Sequence, residues 1–194
     1  MVTIIFAIVA VIFIACAYFW VRGWHKDEEK ITIPTNNGGN QVNNEQATPT
    51  IIGWLRATED VLFGKDGKLV KGETFYQGKI RKNSQLYFRL QIGMSGSAVL
   101  CGINDGVAKP RFQVAVQFEN KQCIANPCNS QRQSVQPYMV HNGESIWVSS
   151  DVLNGIDLPE YFVLRFLYRI DNGNGYGSWQ IADAINIHNL APKV

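Results

Sequence analysis

Two hydrophobic patterns divide this chain. From Val2 to Val21 the sequence VTIIFAIVAVIFIACAYFWV carries no charge. As a helix it would rise roughly 30 Å, the hydrocarbon thickness of a bilayer. Unpaired backbone amides are costly in lipid, so such a run predicts a helix. Tyr18, Trp20 and Trp24 fall at its far end, where amphipathic rings favour the headgroup layer. A cleaved signal fits less well. The segment lacks a basic leader, its apolar run is too long, and bulky residues follow it. Residues 1–24 therefore read as a single transmembrane anchor bounded by Val2 and Val21.

From residue 50 onward the period is two. Arg111 to Asn120 places Phe112, Val114, Val116 and Phe118 on one face, with Gln113, Ala115 and Gln117 on the other. Gln85 to Gly93 turns Leu86, Phe88, Leu90 and Ile92 inward and Tyr87, Arg89 and Gln91 outward. In Tyr161 to Ile170 the inward set is Phe162, Leu164, Phe166, Tyr168 and Ile170. Ser178 to His188 alternates Trp179, Ile181, Asp183, Ile185 and Ile187 against smaller or polar residues. Alternation of this length marks strands with one face on a core.

Turn residues punctuate the strands. Asp66-Gly67 signals a two-residue type I′ hairpin, and Asn142-Gly143, Asn154-Gly155 and Asn172-Gly173-Asn174-Gly175 recur between runs. About eight to ten strands with no helix-period segment beyond the anchor predict an all-β, antiparallel β-sandwich over residues 50–194. A jelly roll is the candidate topology, and a closed barrel is the alternative. Residues 25–49 are rich in Asn and Gly without apolar periodicity, and read as a polar, flexible linker.

Charge adds orientation rather than activity. The 194 residues carry a net charge of +2 with 18% charged residues, too balanced for a nucleic-acid partner. Arg22, Lys26 and Lys30 follow the apolar run, and nothing basic precedes it but the α-amine. The positive-inside rule then places the β domain on the cytoplasmic side, which in a virion would be the capsid-facing side.

Candidate chemistry is sparse. Cys123 and Cys128 flank a four-residue loop and form the candidate disulfide of an oxidising compartment. In a reducing one they are thiols, and with Cys101 and His141 they offer a weaker zinc alternative. The run from Asp171 to Ser178 precedes a strand rather than a helix, so it lacks the amides of a phosphate loop. Calcium would find one local carboxylate, Asp171, and a long turn is the simpler reading. Asp183 falls on an apolar face, which a β-bulge or a buried hydrogen bond would explain. Arg89, Arg165 and Arg169 are outward-facing candidates for a basic patch.

Around His25, His141 and His188 no Ser, Cys or Asp stands at a catalytic spacing, and there is no G-x-S-x-G or H-E-x-x-H motif. No catalytic residue, cofactor or metal is expected, and a small-molecule ligand is not favoured. The expected function is a membrane-anchored structural or adaptor protein whose partners are the lipid bilayer and the protein neighbours of a multi-subunit assembly. A minor structural protein of a membrane-containing virion is one setting, and an envelope-spanning secretion or conjugation machine is another. The competing class is a glycan-binding module using Trp54, Tyr76, Trp147, Tyr161, Tyr176 or Trp179 as stacking platforms.

Overall fold

The four alternating runs all become strands that line the protein's core. The structure is a computed structural model that describes residues 48–104 and 108–191. The anchor positions Val2, Trp20, Val21 and Trp24, and all but the last two linker residues, lie outside the described residues. Among the described residues no helix is long and apolar enough to cross a membrane.

The strands are β1 (Ile51–Phe63), β2 (Gly67–Lys68), β3 (Val70–Lys71), β4 (Tyr76–Gly78), β5 (Leu86–Ser95), β6 (Ser97–Cys101) and β7 (Arg111–Phe118). They continue with β8 (Lys121–Ile124), β9 (Asn126–Cys128), β10 (Tyr138–His141), β11 (Ser145–Ser150), β12 (Tyr161–Asp171) and β13 (Gln180–Asn189). A five-stranded sheet has the order β2-β1-β5-β11-β9. An eight-stranded sheet has the order β10-β6-β7-β12-β13-β4-β3, with β8 also paired to β7. The chain switches sheets at corners. Gly96, between β5 and β6, has φ of 72°, a value that suits glycine.

The described chain is thus all-β, in two sheets with one shared core. Leu86, Phe88, Leu90 and Ile92 of β5 are fully buried, as are Phe112, Val114 and Val116 of β7 and Leu164 and Phe166 of β12. Phe88 and Phe166 meet edge to face across the two sheets, with ring centroids 4.9 Å apart. Such a pair adds roughly 0.5–1.5 kcal/mol to its burial.

The structure differs from the sequence expectation in instructive places. Pairing is antiparallel except for β6–β7 and β4–β13, which are parallel. A period of two reports which face is buried and says nothing of strand direction. The hairpin after β1 is not the two-residue Asp66-Gly67 turn. Phe63 pairs with Gly67, so the loop is Gly64-Lys65-Asp66, and Gly64 takes the positive φ of 54°. Gly67 is needed for space, since a Cβ there would stand 2.5 Å from the Phe63 ring.

β13 carries a bulge. Phe166 pairs with Asp183 and Leu167 with Ile181, so Ala182 is the extra residue. The bulge flips the phase of the strand. Ile185 and Ile187 stay buried, Ala182 packs against the core, and Ile181 turns outward. Asp183 remains on the inner side, where its two oxygens accept the backbone N–H groups of Ala57 and Ala184, both at 2.8 Å.

The Ala57 bond crosses from one sheet to the other. The Tyr168 hydroxyl, which donates to Ile52 O (3.1 Å), does the same, as does that of Tyr76, donating to Thr58 O (3.0 Å). Asn172 completes this seam by accepting from Thr50 N and donating to Thr50 O. Replacing Asp183 leaves the half-buried Ala57 amide without its acceptor. Asp183→Ala is expected to lower stability by about 1–3 kcal/mol, and Asp183→Asn by less because it keeps one acceptor oxygen. Urea unfolding of the full-length chain measures both.

Candidate functional site

A large concavity opens where the two sheets meet beyond the seam. It is a groove of ≈ 1390 Å³. One wall is the end of β1 and its hairpin, with Phe63 and Lys65. The other comes from the segment after β4, Lys79 to Lys82, and from the end of β13, His188 and Asn189. Asp157, Leu158 and Glu160 close one side, and Leu190 and Ala191 also line it.

Local chemistry fixes these walls. Asn189 is buried, and its Oδ1 accepts from the backbone N–H groups of Ile80 (3.0 Å) and Ala191 (3.1 Å). That one amide side chain ties the Lys79–Lys82 segment to the end of β13. Gly78 is the close approach beneath them. A Cβ there would stand 2.5 Å from Leu69 Cδ2 and 3.3 Å from the Phe63 ring. Ile80 is buried, while Lys79, Arg81 and Lys82 project into solvent.

Charge in the groove is uneven. Lys82 Nζ lies 2.7 Å from Asp157 Oδ1, and this bond holds the Asp157 carboxyl below its ordinary value. His188 Nε2 lies 3.7 Å from Glu160 Oε1, and its ring stacks on Tyr161 at 4.4 Å. Among the described residues, Lys65, Lys79 and Arg81 have no carboxylate within ion-pair distance. Ser84 also lines the groove, but no hydrogen bond joins its hydroxyl to His188 among the described residues. The groove offers an apolar floor and a cationic rim.

The residues singled out from the sequence are dispersed. Cys101, Cys123 and Cys128 form no disulfide with one another. Only four residues separate Cys123 from Cys128, yet the corner at Ala125 sends them to different sheets. Cys123 pairs with Val116 on β7 and packs against the core. Cys128 pairs with Trp147 on β11, away from that core. The candidate disulfide is therefore not formed in this structure. Burial pushes the Cys128 thiol up to about 12 and also raises Cys123, where Asp151 adds to the effect. At neutral pH neither has the thiolate character of a reactive cysteine. His141 is exposed, and no group of three or more potential metal ligands gathers among the described residues, so the zinc alternative finds no site there.

The three arginines do not share a patch. Arg89 lies on β5 and pairs with Asp60 at 3.2 Å, whereas Arg165 and Arg169 belong to β12 in the other sheet. Arg169 is held between Tyr176 and Trp179, 4.5 Å from each ring centroid, and donates twice to the buried Gln113. The aromatic candidates scatter too. Tyr76 is buried, Trp54 is half-exposed on the five-stranded sheet, and Tyr161 is exposed on the eight-stranded one.

Asp171 organises the glycine-rich turn rather than a cation site. Its side chain is fully buried. Oδ1 accepts from Gly173 N (2.8 Å) and Gly175 N (2.9 Å), while Oδ2 faces Arg111 Nε (3.1 Å) and Lys109 Nζ (3.3 Å). Its oxygens are already taken by donors and cations, which leaves little for calcium. Desolvation pushes the carboxyl up, but the Gly173 amide, Lys109, Arg111 and the Gly175 amide outweigh it and hold it at about 2.

The chain matches no family model, no curated protein and no solved structure. Any functional reading therefore rests on the geometry and the sequence.

The Asp171 carboxyl has a folded value below its ordinary 3.8, so its stabilisation is present above about pH 4 and is lost as pH falls through about 2. Asp171→Asn removes that dependence. Its melting temperature is expected below the wild type's at neutral pH, with the gap closing on acidification. Thermal unfolding at stepped pH reads this directly.

Proposed function

We propose that this protein is a membrane-tethered adaptor: the apolar run Val2–Val21 anchors it in a bilayer, and a β-sandwich docks onto protein neighbours in a larger assembly. The two sheets with a shared core support the sandwich. The parallel pairs β6–β7 and β4–β13 depart from the purely antiparallel ladder of a jelly roll.

One observation carries the docking role. The outer face of the eight-stranded sheet carries exposed apolar side chains on either side of Arg165, where water would favour polar residues. Tyr161, Val163 and Ile181 are 53%, 39% and 66% exposed. They run along β12 and across to β13, beside the outward but buried Leu167 and Ala115. A solvated sheet face ordinarily alternates to polar side chains, so an exposed apolar strip of this kind suits a protein contact. The bulge at Ala182 is what turns Ile181 toward that strip.

The β domain is placed on the side of the membrane that receives Arg22, Lys26 and Lys30, the cytoplasmic or capsid-facing side. A virion or an envelope-spanning machine both suit such a tethered block. Glycan binding has less support, because the exposed rings of Trp54 and Tyr161 lie on different sheets.

A photoreactive residue placed at Val163 or Ile181, in the native membrane, is expected to cross-link a discrete protein. The same residue at Gln91, on the other sheet, is expected not to. The chain should also resist alkaline extraction from membranes. A freely extracted chain that yields no cross-linked product would refute the proposal.

A further inference from the structure

We infer that the groove between the end of β1 and the end of β13 receives an extended acidic and apolar segment of a protein neighbour. This inference rests on the adaptor reading and names the chemistry of the partner.

Size comes first. Pockets for small ligands occupy roughly 300–1,000 Å³. At ≈ 1390 Å³ and open to solvent, this groove exceeds that range and suits a length of chain. The floor is apolar: Phe63, Leu158 and Leu190 line it, and Leu190 is 43% exposed. Side chains alternating along an extended segment would place every second one on such a floor.

Charge selects the segment. The acids that line the groove are Asp66, Asp157 and Glu160. Lys82 occupies Asp157, and His188 faces Glu160. Asp66 neighbours Lys65 in the hairpin loop without an ion pair to it among the described residues. Against these stand the exposed cations Lys65, Lys79 and Arg81, each without a carboxylate within reach among the described residues. Of these, Lys79 and Arg81 flank the buried Ile80, so their backbone is fixed by the Ile80–Asn189 bond while their charged ends are free to meet carboxylates. A segment carrying carboxylates between apolar residues matches both features. Complementary charge of this kind steers encounter and sets register. A phospholipid would present its phosphate to the same cations, but its compact headgroup would leave most of the groove unfilled.

The test is a titration of the full-length chain, in non-ionic detergent, with a fluorescein-labelled decapeptide that alternates glutamate and leucine. Fluorescence anisotropy is expected to show saturable binding that weakens with added salt. The Lys79→Glu/Arg81→Glu double variant should bind at least about tenfold more weakly. Arg56→Glu, an exposed cation on the other sheet, should bind as the wild type does. Both groove positions are exposed, so the fold should persist, and thermal unfolding checks it. If the double variant fails to fold, Lys79→Gln/Arg81→Gln takes its place with a smaller expected loss. No saturable binding would overturn the inference. Equal weakening by Arg56→Glu, or equal binding of a lysine–leucine peptide, would also overturn it. Displacement of the peptide by short-chain phosphatidylserine, but not by phosphatidylcholine, would reassign the groove to lipid. Cross-links from Val163 and Ile181 report separately on the adaptor reading, so the two can fail independently.

Discussion

Between Thr50 and Thr58, strand β1 pairs with β5 on one side and, among the described residues, has no strand on the other. A bare strand edge presents N–H and C=O groups that must find partners or face water. Here the facing sheet supplies them as side chains. Asn172 bonds both backbone groups of Thr50, Tyr168 takes Ile52 O, Asp183 takes Ala57 N and Tyr76 takes Thr58 O. Everything the outer surface displays depends on this seam, because it sets the position of one sheet against the other.

The core alone would not do this. Apolar faces attract without direction, and two sheets bearing only leucines and phenylalanines could slide. Phe88 and Phe166 fill the space between the sheets, but hydrogen bonds at fixed residues choose one offset. That offset brings Phe63, at the end of β1, opposite His188 and Asn189, at the end of β13. The groove is the gap left between them. The bulge that places Asp183 on the inner side also turns Ile181 outward, so one inserted residue both seals the seam and extends the apolar strip.

The strands were legible because burial repeats every second residue. Leu86, Phe88, Leu90 and Ile92 are all at the core, as their spacing requires. Alternation failed where something local interrupts it. Ala182 breaks the phase of β13, so Ile181 is exposed. Tyr87 faces outward as expected, yet it is buried, with the Arg132 guanidinium above its ring. Gln113 is outward and buried because Arg169 and Gly102 bond it. The cysteine pair misled because sequence distance ignores the corner at Ala125. The groove was not legible at all: Phe63, Lys79 and Leu190 are far apart along the chain and meet through the seam. Its one local signal was Lys79-Ile80-Arg81-Lys82, three cations around one apolar residue, which the turn-and-strand pattern passed over.

Native-state hydrogen exchange at the Ala57 amide tests the seam most directly. That amide has a carboxylate as its acceptor instead of a strand, so its protection reports whether the two sheets are held together there. Exchange as slow as that of the β5 core amides is the result expected from a closed seam. Rapid exchange at Ala57 while β5 stays protected would show the edge of β1 open to water, and neither the groove nor the strip would then have a fixed form.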